Sequence, residues 1–456
     1  MKENPNAGAS SPLEEQIDRW RTSCLDSRGM SPEQVEDLEA RLRKELATLA
    51  NRGLSSEEAL LVALNRLHEL PAFLAITGSA YTGEPWKQFK AGSGIGPGAD
   101  QRDMAVAFGL AVLAALLIKL PAFFGLPLDG NEGFYARNLG FFALPLLAGY
   151  FTWKRKLAPA TIRWVAVAFL AALIFANAYP YVPGGDTEGL AALHLPIALW
   201  VLIGVAYGGQ RWRTVAGRMD FIRFTGELFI YYVLIALGGG VLIAFMAMIF
   251  ELIGLDLESF FESWLLPCGA MGGFVVAAWL AEAKKSVIEN MAPILTRLFT
   301  PLFTLVLLTF LGALLWTGRS INMDREVLIA FDLLLVLVLG LMLYTISARD
   351  ADAPPGAFDV LQLVLLISAL LADVFALEAI AARITELGLT PNRLVALGAN
   401  LILLVNLAWS AMLQLRFLRG KVEFSQLERW QTNYLPVYFL WALVVSVAFP
   451  VLFGFI

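Results

Sequence analysis

Ionisable side chains set inside long apolar stretches are the residues of this sequence that could do chemistry. Lys119, Glu227, Glu251, Asp332, Asp373 and Glu378 each interrupt a run of Leu, Val, Ile, Phe and Ala, and His194 adds a titratable imidazole. A charge in hydrocarbon costs at least ~2.5 kcal/mol, so such residues mark paths for ions, protons or solutes unless they escape to the interface. Lys119, Glu251 and Glu378 have stems long enough to carry the charge outward. His194, close to the start of its stretch, suits an interfacial histidine better than a proton relay. Asp373 is different, because a short carboxylate about seven residues from the end of its stretch cannot snorkel. It calls for a cationic partner, with Lys119 and Arg383 the candidates, or for an opening to water. Asp373 and Glu378 are turned about 140° apart on a helix and need not share a face. Lys119, His194, Asp332, Asp373 and Glu378 together form the candidate intramembrane polar site.

Other chemistries are poorly served. Cys24 and Cys268 are the two cysteines, and His68 and His194 the two histidines, which excludes a disulfide framework and a Cys- or His-based metal cluster. The glycine-rich stretch at residues 77–100 lacks the Lys-Ser/Thr ending of a phosphate-binding loop, and no nucleophile–base pair stands out. An enzyme is not expected, nor a cofactor or a bound metal. A net charge of -5 over 456 residues gives no nucleic-acid footprint.

The elements that must hold these residues are membrane spans. Hydrophobic residues are 58% of the chain and charged residues 16%, against ~25% charged in a typical soluble protein. Apolar stretches at 104–126, 134–153, 161–182, 190–209, 226–253, 264–281, 294–316, 326–347, 358–380, 394–416 and 436–456 predict about eleven transmembrane helices. Only a helix of ~20 apolar residues, or a closed barrel, satisfies every backbone group across ~30 Å of hydrocarbon. The predicted fold class is an all-α polytopic membrane protein with a soluble N-terminal three-helix domain.

Basic residues set the orientation. With the N-terminus inside, the cytoplasmic loops hold Lys154, Arg155, Lys156, Arg163, Arg211, Arg213, Arg218, Arg223, Lys284, Lys285, Arg297, Arg349, Arg416, Arg419, Lys421 and Arg429. The outer side holds Arg137, Arg319, Arg325, Arg383 and Arg393. This bias places residues 1–100 in the cytoplasm and the C-terminus outside. The polar opening of the chain, Met1 to Ser11, reads as no signal peptide and agrees with that placement. Gly238, Gly239 and Gly240 in the fifth span permit a break, and Gly269 and Gly273 in the sixth give a GxxxG spacing suited to close helix packing.

Ahead of the spans, residues 1–76 read as a cytoplasmic helical domain. Leu13, Ile17, Trp20 and Cys24 share one helical face, as do Val35, Leu38, Leu42, Leu46 and Leu49, and then Leu60, Ala63, Leu64 and Leu67. Ser11-Pro12, Ser31-Pro32 and the pair Ser55 and Glu58 supply helix starts. So small a core is marginal alone, which predicts a cytoplasmic protein partner or a homo-oligomer through residues 11–75, or packing on the membrane domain. Residues 77–100, with Gly78, Gly83, Gly92, Gly94, Gly96 and Gly98, read as a linker carrying an aromatic and basic cluster of Trp86, Lys87, Phe89 and Lys90. The membrane domain follows at 101–456.

Two stretches carry resemblances. The run Gly53-Leu54-Ser55, Glu57-Glu58-Ala59, Ala63 and Arg66-Leu67 resembles the short helical prefix domains found before bacterial permeases and membrane-linked signalling proteins, although His68-Glu69-Leu70-Pro71 replaces their Gly-Asp-Pro turn. The loop from Arg383-Ile384 through Gly388-Leu389-Thr390 to Arg393 resembles that of a large bacterial family of polytopic membrane proteins of unknown function, over about residues 220–456. That resemblance implies no enzyme activity. Physically, Gly388 can end one helix while Thr390 caps the next, with Pro391 at its first position. Arg383, Thr390 and Arg393 form a candidate outer-loop site, since arginines on the outer side suit a carboxylate or a lipid phosphate. The expected function is of transport type in the bacterial inner membrane, binding or moving a small solute or lipid. The alternative is a membrane sensor or scaffold whose prefix signals to a cytoplasmic regulator.

Overall fold

A computed structural model describes residues 32–50, 97–252, 257–283, 291–317, 325–351 and 353–456, together with 17, 18, 20–22, 24, 59, 60, 62–64 and 255. Helices dominate, and no strand occurs among the described residues. The chain divides into two compact units, Met1–Arg102 and Asp103–Ile456.

In the first unit, α1 spans Pro32–Ala50. Its inward residues Val35, Leu42, Leu46 and Leu49 are buried, and they pack with Ile17, Trp20, Cys24, Ala59, Leu60, Ala63 and Leu64. The helix starts at Ser11, Ser31 and Ser55, the stretch His68-Glu69-Leu70-Pro71 and the Trp86–Lys90 cluster lie outside the described residues.

The remaining helices are α2 (Pro97–Leu117), α3 (Glu132–Lys154), α4 (Pro159–Ala178), α5 (Asp186–Gly208), α6 (Val215–Leu252), α7 (Leu266–Ala283), α8 (Met291–Thr317), α9 (Arg325–Ala348), α10 (Ala357–Leu387), α11 (Pro391–Leu418) and α12 (Ser425–Leu443). Among the described residues, nine helices are long and apolar enough to cross a membrane. The sequence predicts eleven. The first two predicted spans are helical, as α2 and α3, but Asp100, Arg102 and Asp103 in one and Arg137 and Asn138 in the other leave them outside the nine.

The two largest hydrophobic cores of the second unit organise it. In the first, Leu147 and Phe151 of α3 meet Phe169 of α4, Leu199, Ile203 and Tyr207 of α5, Phe224 of α6 and Ala278 of α7. The Tyr207 and Phe224 rings stack at 4.6 Å, and Phe151 meets Tyr207 edge-on at 5.1 Å. Such pairs add ~0.5–1.5 kcal/mol each beyond the area they bury. In the second core, Leu307 of α8 joins Leu335, Val338 and Met342 of α9, Leu366, Ala369, Ala372 and Ala376 of α10, Leu407 of α11 and Leu427 and Leu435 of α12. The two meet where α6 crosses α9: a Cβ at Gly226 would stand 2.5 Å from Tyr344 Cδ2, so only glycine allows this approach. Arg223 Nε clamps the same crossing by donating to the Ser347 carbonyl at 2.8 Å.

The two ends of the unit are tied differently. At one end Arg155 donates to Glu282 Oε1 at 2.8 Å and to the Tyr207 carbonyl at 3.2 Å, and Lys154 pairs with Asp103 at 3.1 Å. At the other, the last residues of the chain close on the α4–α5 loop: Val182 N donates to Phe455 O at 3.0 Å and Thr187 N to Ile456 O at 2.7 Å. There Arg137 pairs with Glu188, whose Oε2 also accepts from Gly184 N at 2.8 Å.

Several local expectations are corrected. The linker does not extend to residue 100, because Pro97–Asp100 form the first turn of α2, where a proline is tolerated. The first span is not continuous over 104–126: α2 stops at Leu117 and a separate turn, Leu120–Phe123, follows, since Pro121 has no N–H to extend the ladder. The glycines at 238–240 do not break the fifth span. The 38-residue α6 runs through them with open space around each, and in hydrocarbon an opened turn would leave backbone groups with nothing to bond. Of the GxxxG pair in the sixth span, Gly273 packs closely and Gly269 does not, Gly272 taking its place: a Cβ at Gly272 would lie 3.2 Å from Ala111 O and one at Gly273 3.2 Å from Ile235 Cγ2, while Gly269 has nothing within 4 Å.

Candidate functional site

Three helices of the second core, α9, α10 and α11, bring Asp332, Asp373 and Asn400 together. Local signals fix their starts and stops. Arg349, just past α9, grips Asp359 of α10 at 3.1 and 3.2 Å, also donates to the carbonyls of Asp350, Ala353 and Pro354, and is flanked by the rings of Phe417 and Phe424 at 4.8 and 4.6 Å. Asp359 Oδ2 in turn accepts from Gly356 N at 2.7 Å, closing the first turn of α10. At the far end Gly388 adopts φ +80°, Thr390 Oγ1 accepts from Arg393 N at 3.4 Å, and Pro391 opens α11. The Arg393 guanidinium donates to the carbonyls of Leu387 and Gly388 at 2.9 and 2.6 Å. Arg393 thus caps the C-terminus of α10, where a cation is favoured by the helix dipole.

Between these anchors, Ala369, Ala372 and Ala376 line the inner face of α10, each with 0% of its surface exposed. Small side chains let α9 and α11 approach closely here. Asp373 sits in this alanine seam and is itself 0% exposed. Neither of its carboxylate oxygens has a hydrogen-bond partner among the described residues. The charged group it feels is another acid, Asp332 of α9. Asp332 is half-buried, and its Oδ1 accepts from Asn400 Nδ2 at 2.8 Å. The same Asn400 nitrogen donates to the Ala396 carbonyl at 3.0 Å, which fixes the orientation of the amide. Its carbonyl oxygen, Oδ1, is left buried without a partner among the described residues.

The other candidates lie elsewhere. Lys119 does not pair with Asp373 or Glu378. It is buried against the sixth span, donating to the Ser263 carbonyl and lying 4.7 Å from the centre of the Trp264 ring. Ser263 belongs to a π-helical turn, Phe261–Leu265, whose shifted ladder frees carbonyls for such a donor. Glu378 is exposed, on a different face of α10 from the buried Asp373. His194 is buried in α5, with Nδ1 2.9 Å from the Leu190 carbonyl. Glu227 is buried in α6, whereas Glu251 is exposed near the end of that helix. Arg383 is half-buried, and Thr390 and Arg393 are engaged in the α10–α11 turn. The five candidate intramembrane residues therefore do not form one site: Asp332 and Asp373 come together, and Lys119, His194 and Glu378 stand apart.

Asn400 completes the cluster and has no counterpart in the sequence-based candidates, which were charged groups and one histidine. The usable signal was an amide amid apolar residues one helix along from Asp373. Below it on α11 lies a second polar cluster. Asn406 Oδ1 accepts from Trp430 Nε1 at 2.9 Å, Gln431 Nε2 at 3.0 Å and Ser410 Oγ at 3.0 Å. Asn406 Nδ2 donates to Gln431 Oε1 at 3.1 Å and to the Tyr438 hydroxyl. Among the described residues, no group of three or more His, Cys, Asp or Glu side chains gathers as for a metal. No family model, curated protein or solved structure matches the chain.

Proposed function

We propose that this chain is an integral membrane protein of transport type in the bacterial inner membrane, binding or moving a small solute or lipid through the region of α9, α10 and α11. The observation that carries this reading is Asp373: an acid with no exposed surface, both oxygens unpartnered among the described residues, beside a second acid. A bundle kept only for its stability gains nothing from such a residue, since each unsatisfied buried polar atom costs ~1–3 kcal/mol and an apolar side chain would pack as well. Intramembrane acids of this kind serve ion and solute pathways. Among the described residues, nine helices of sufficient length and apolar character support the membrane setting.

The test is electrical. Purified protein in proteoliposomes on a solid-supported membrane would be challenged in turn with amino acids, sugars, nucleosides and short lipids. The wild type should give a current with at least one class, and Asp373→Asn should abolish it. Equal currents from the two proteins, or none from the wild type with any class, would overturn the reading.

The orientation proposed for this reading keeps residues 1–100 in the cytoplasm, as the basic residues near Lys154, Arg211 and Lys421 favour. In a chain with Cys24 and Cys268 replaced by serine, an impermeant thiol reagent added from outside should label cysteine at Pro183 and spare cysteine at Ala158. The reverse pattern would invert the topology.

The second reading, a sensor or scaffold, is favoured by one observation: the N-terminal residues form a compact unit with a core of their own. Deleting residues 1–90 separates the two readings. A transporter should keep its current, whereas a sensor should stay folded in the membrane and lose capture of its cytoplasmic regulator.

A further inference from the structure

We propose that the cavity between the starts of α6 and α12 binds the phosphodiester head group of an anionic phospholipid. The site lies on those two helices and uses none of Asp332, Asp373 and Asn400, so it stands apart from the transport reading.

Two helix starts supply the walls. A cavity of about 330 Å³ opens between Val215, Met219, Asp220 and Arg223 of α6 and Glu428 and Arg429 of α12. Sites for small molecules begin at about this size. The two walls are tied together, since Arg218 Nη2 of α6 donates to Asn433 Oδ1 of α12 at 2.8 Å. Arg223 is held by the Ser347 carbonyl, to which its Nε donates at 2.8 Å. That carbonyl is neutral, so the bond orients the guanidinium without cancelling its charge.

The charges on the lining select the ligand. Asp220 is taken up by Arg211, 2.9 Å away. What remains is Arg223 and Arg429 against the single carboxylate of Glu428, an excess of one positive charge. Among the described residues, neither of these guanidiniums forms an ion pair. A phosphodiester carries one negative charge and balances the excess, and guanidinium forks suit its paired oxygens. A phosphomonoester carries about −1.5 to −2 near neutral pH and would set its second charge against Glu428. A zwitterionic head group brings a cation of its own, which would face two arginines.

Depth favours a lipid over a free solute. At 1.5 Å per residue, Arg223 stands about 5 Å and Arg429 about 10 Å before the apolar stretches that begin at residues 226 and 436. The polar layer of a bilayer occupies about 5–8 Å on each side of the hydrocarbon. The cavity therefore opens at head-group level, where lipid phosphates are concentrated, and Val215 and Met219 give the glycerol and first acyl carbons an apolar wall. Basic pockets between spans hold anionic head groups on the same terms.

The full-length protein in a neutral detergent tests this. Thermal unfolding, followed by the fluorescence of its 12 tryptophans, would be compared with phosphatidylglycerol, phosphatidylcholine, glycerophosphoglycerol or inorganic phosphate added at fixed pH and ionic strength. Phosphatidylglycerol at ~100 times its Kd should raise Tm by roughly 3–6 °C, with the other three giving little. Arg429→Gln should weaken the apparent affinity for phosphatidylglycerol about tenfold. Glu428→Gln should tighten it, because the one opposing charge is gone. Arg429 is exposed, so its substitution should spare the fold, and the lipid series on the wild type needs no variant at all. Equal shifts from phosphatidylglycerol and phosphatidylcholine, a phosphatidylglycerol shift unchanged in Arg429→Gln, or weaker binding by Glu428→Gln would each overturn the proposal. An equal shift from glycerophosphoglycerol or inorganic phosphate would also overturn it, by putting a soluble phosphate in place of the lipid.

Discussion

The amides around Asn406 join α11 to α12 and the acids around Asp373 lie on α9 and α10, with Asn400 and Asn406 about 9 Å apart along the shared α11 at 1.5 Å per residue. Around Asn406, Ser410, Trp430, Gln431 and Tyr438 bond one another until each amide oxygen has its donors. Around Asp373, three buried acceptors have none among the described residues. Hydrogen-bonded amides hold helices in register at little net penalty, because nothing is left to solvate. Acids without partners add no cohesion and are retained for what they can bind. Another buried acid of α10, Asp359, is paired with Arg349, so burial of a carboxylate does not by itself distinguish structure from function. The partner does.

Four substitutions test that contrast, measured by thermal unfolding of the purified protein in one fixed buffer. Arg349→Met should cost most, about 3–5 kcal/mol, because it leaves Asp359 buried and unpaired. Asn406→Leu should cost about 1–3 kcal/mol, because it takes the donor from Gln431 Oε1 and leaves Trp430 Nε1 only the long bond to the Asn406 backbone carbonyl. Asp373→Asn should cost less than ~1 kcal/mol, there being no partner to strand. A loss as large as that of Arg349→Met would mean that Asp373 is paired after all, and the contrast would fall. Glu378→Gln, on an exposed face of α10, should stay within about 0.5 kcal/mol of the wild type and serves as the baseline.

How much of this was legible in the sequence follows from what a one-dimensional pattern can carry. Helix positions were legible, since apolar runs and proline or glycine boundaries are local: the turn at Gly388, Thr390 and Pro391 reads directly from residue types. The separate faces of Asp373 and Glu378 were legible from helical periodicity alone. The partners of charged groups were not. Lys119 reads as a counter-ion for Asp373, yet it ends on the Ser263 carbonyl, because the contact between two helices depends on how the whole bundle packs. Asn400 escaped because an uncharged amide costs little to insert and stands out only when a neighbouring helix presents Asp332 to it. Gly238, Gly239 and Gly240 suggested a break from propensity measured in water, where an opened turn is solvated; in lipid it is not.

The same long helix has a consequence for how the protein meets its bilayer. No residue of α6 beyond Leu228 is buried. Residues 229–252 alone reach about 36 Å at 1.5 Å per residue, against ~30 Å of hydrocarbon in a typical bilayer. A stretch longer than its slab relieves the mismatch by leaning, and the lean required grows as the membrane thins. Near the inner end of this lever, Gly226 lies on Tyr344 of α9, the helix that also carries Asp332. Acyl-chain length therefore acts on the angle at which α6 meets α9, and lipids of different thickness will load that crossing differently while every side chain stays the same.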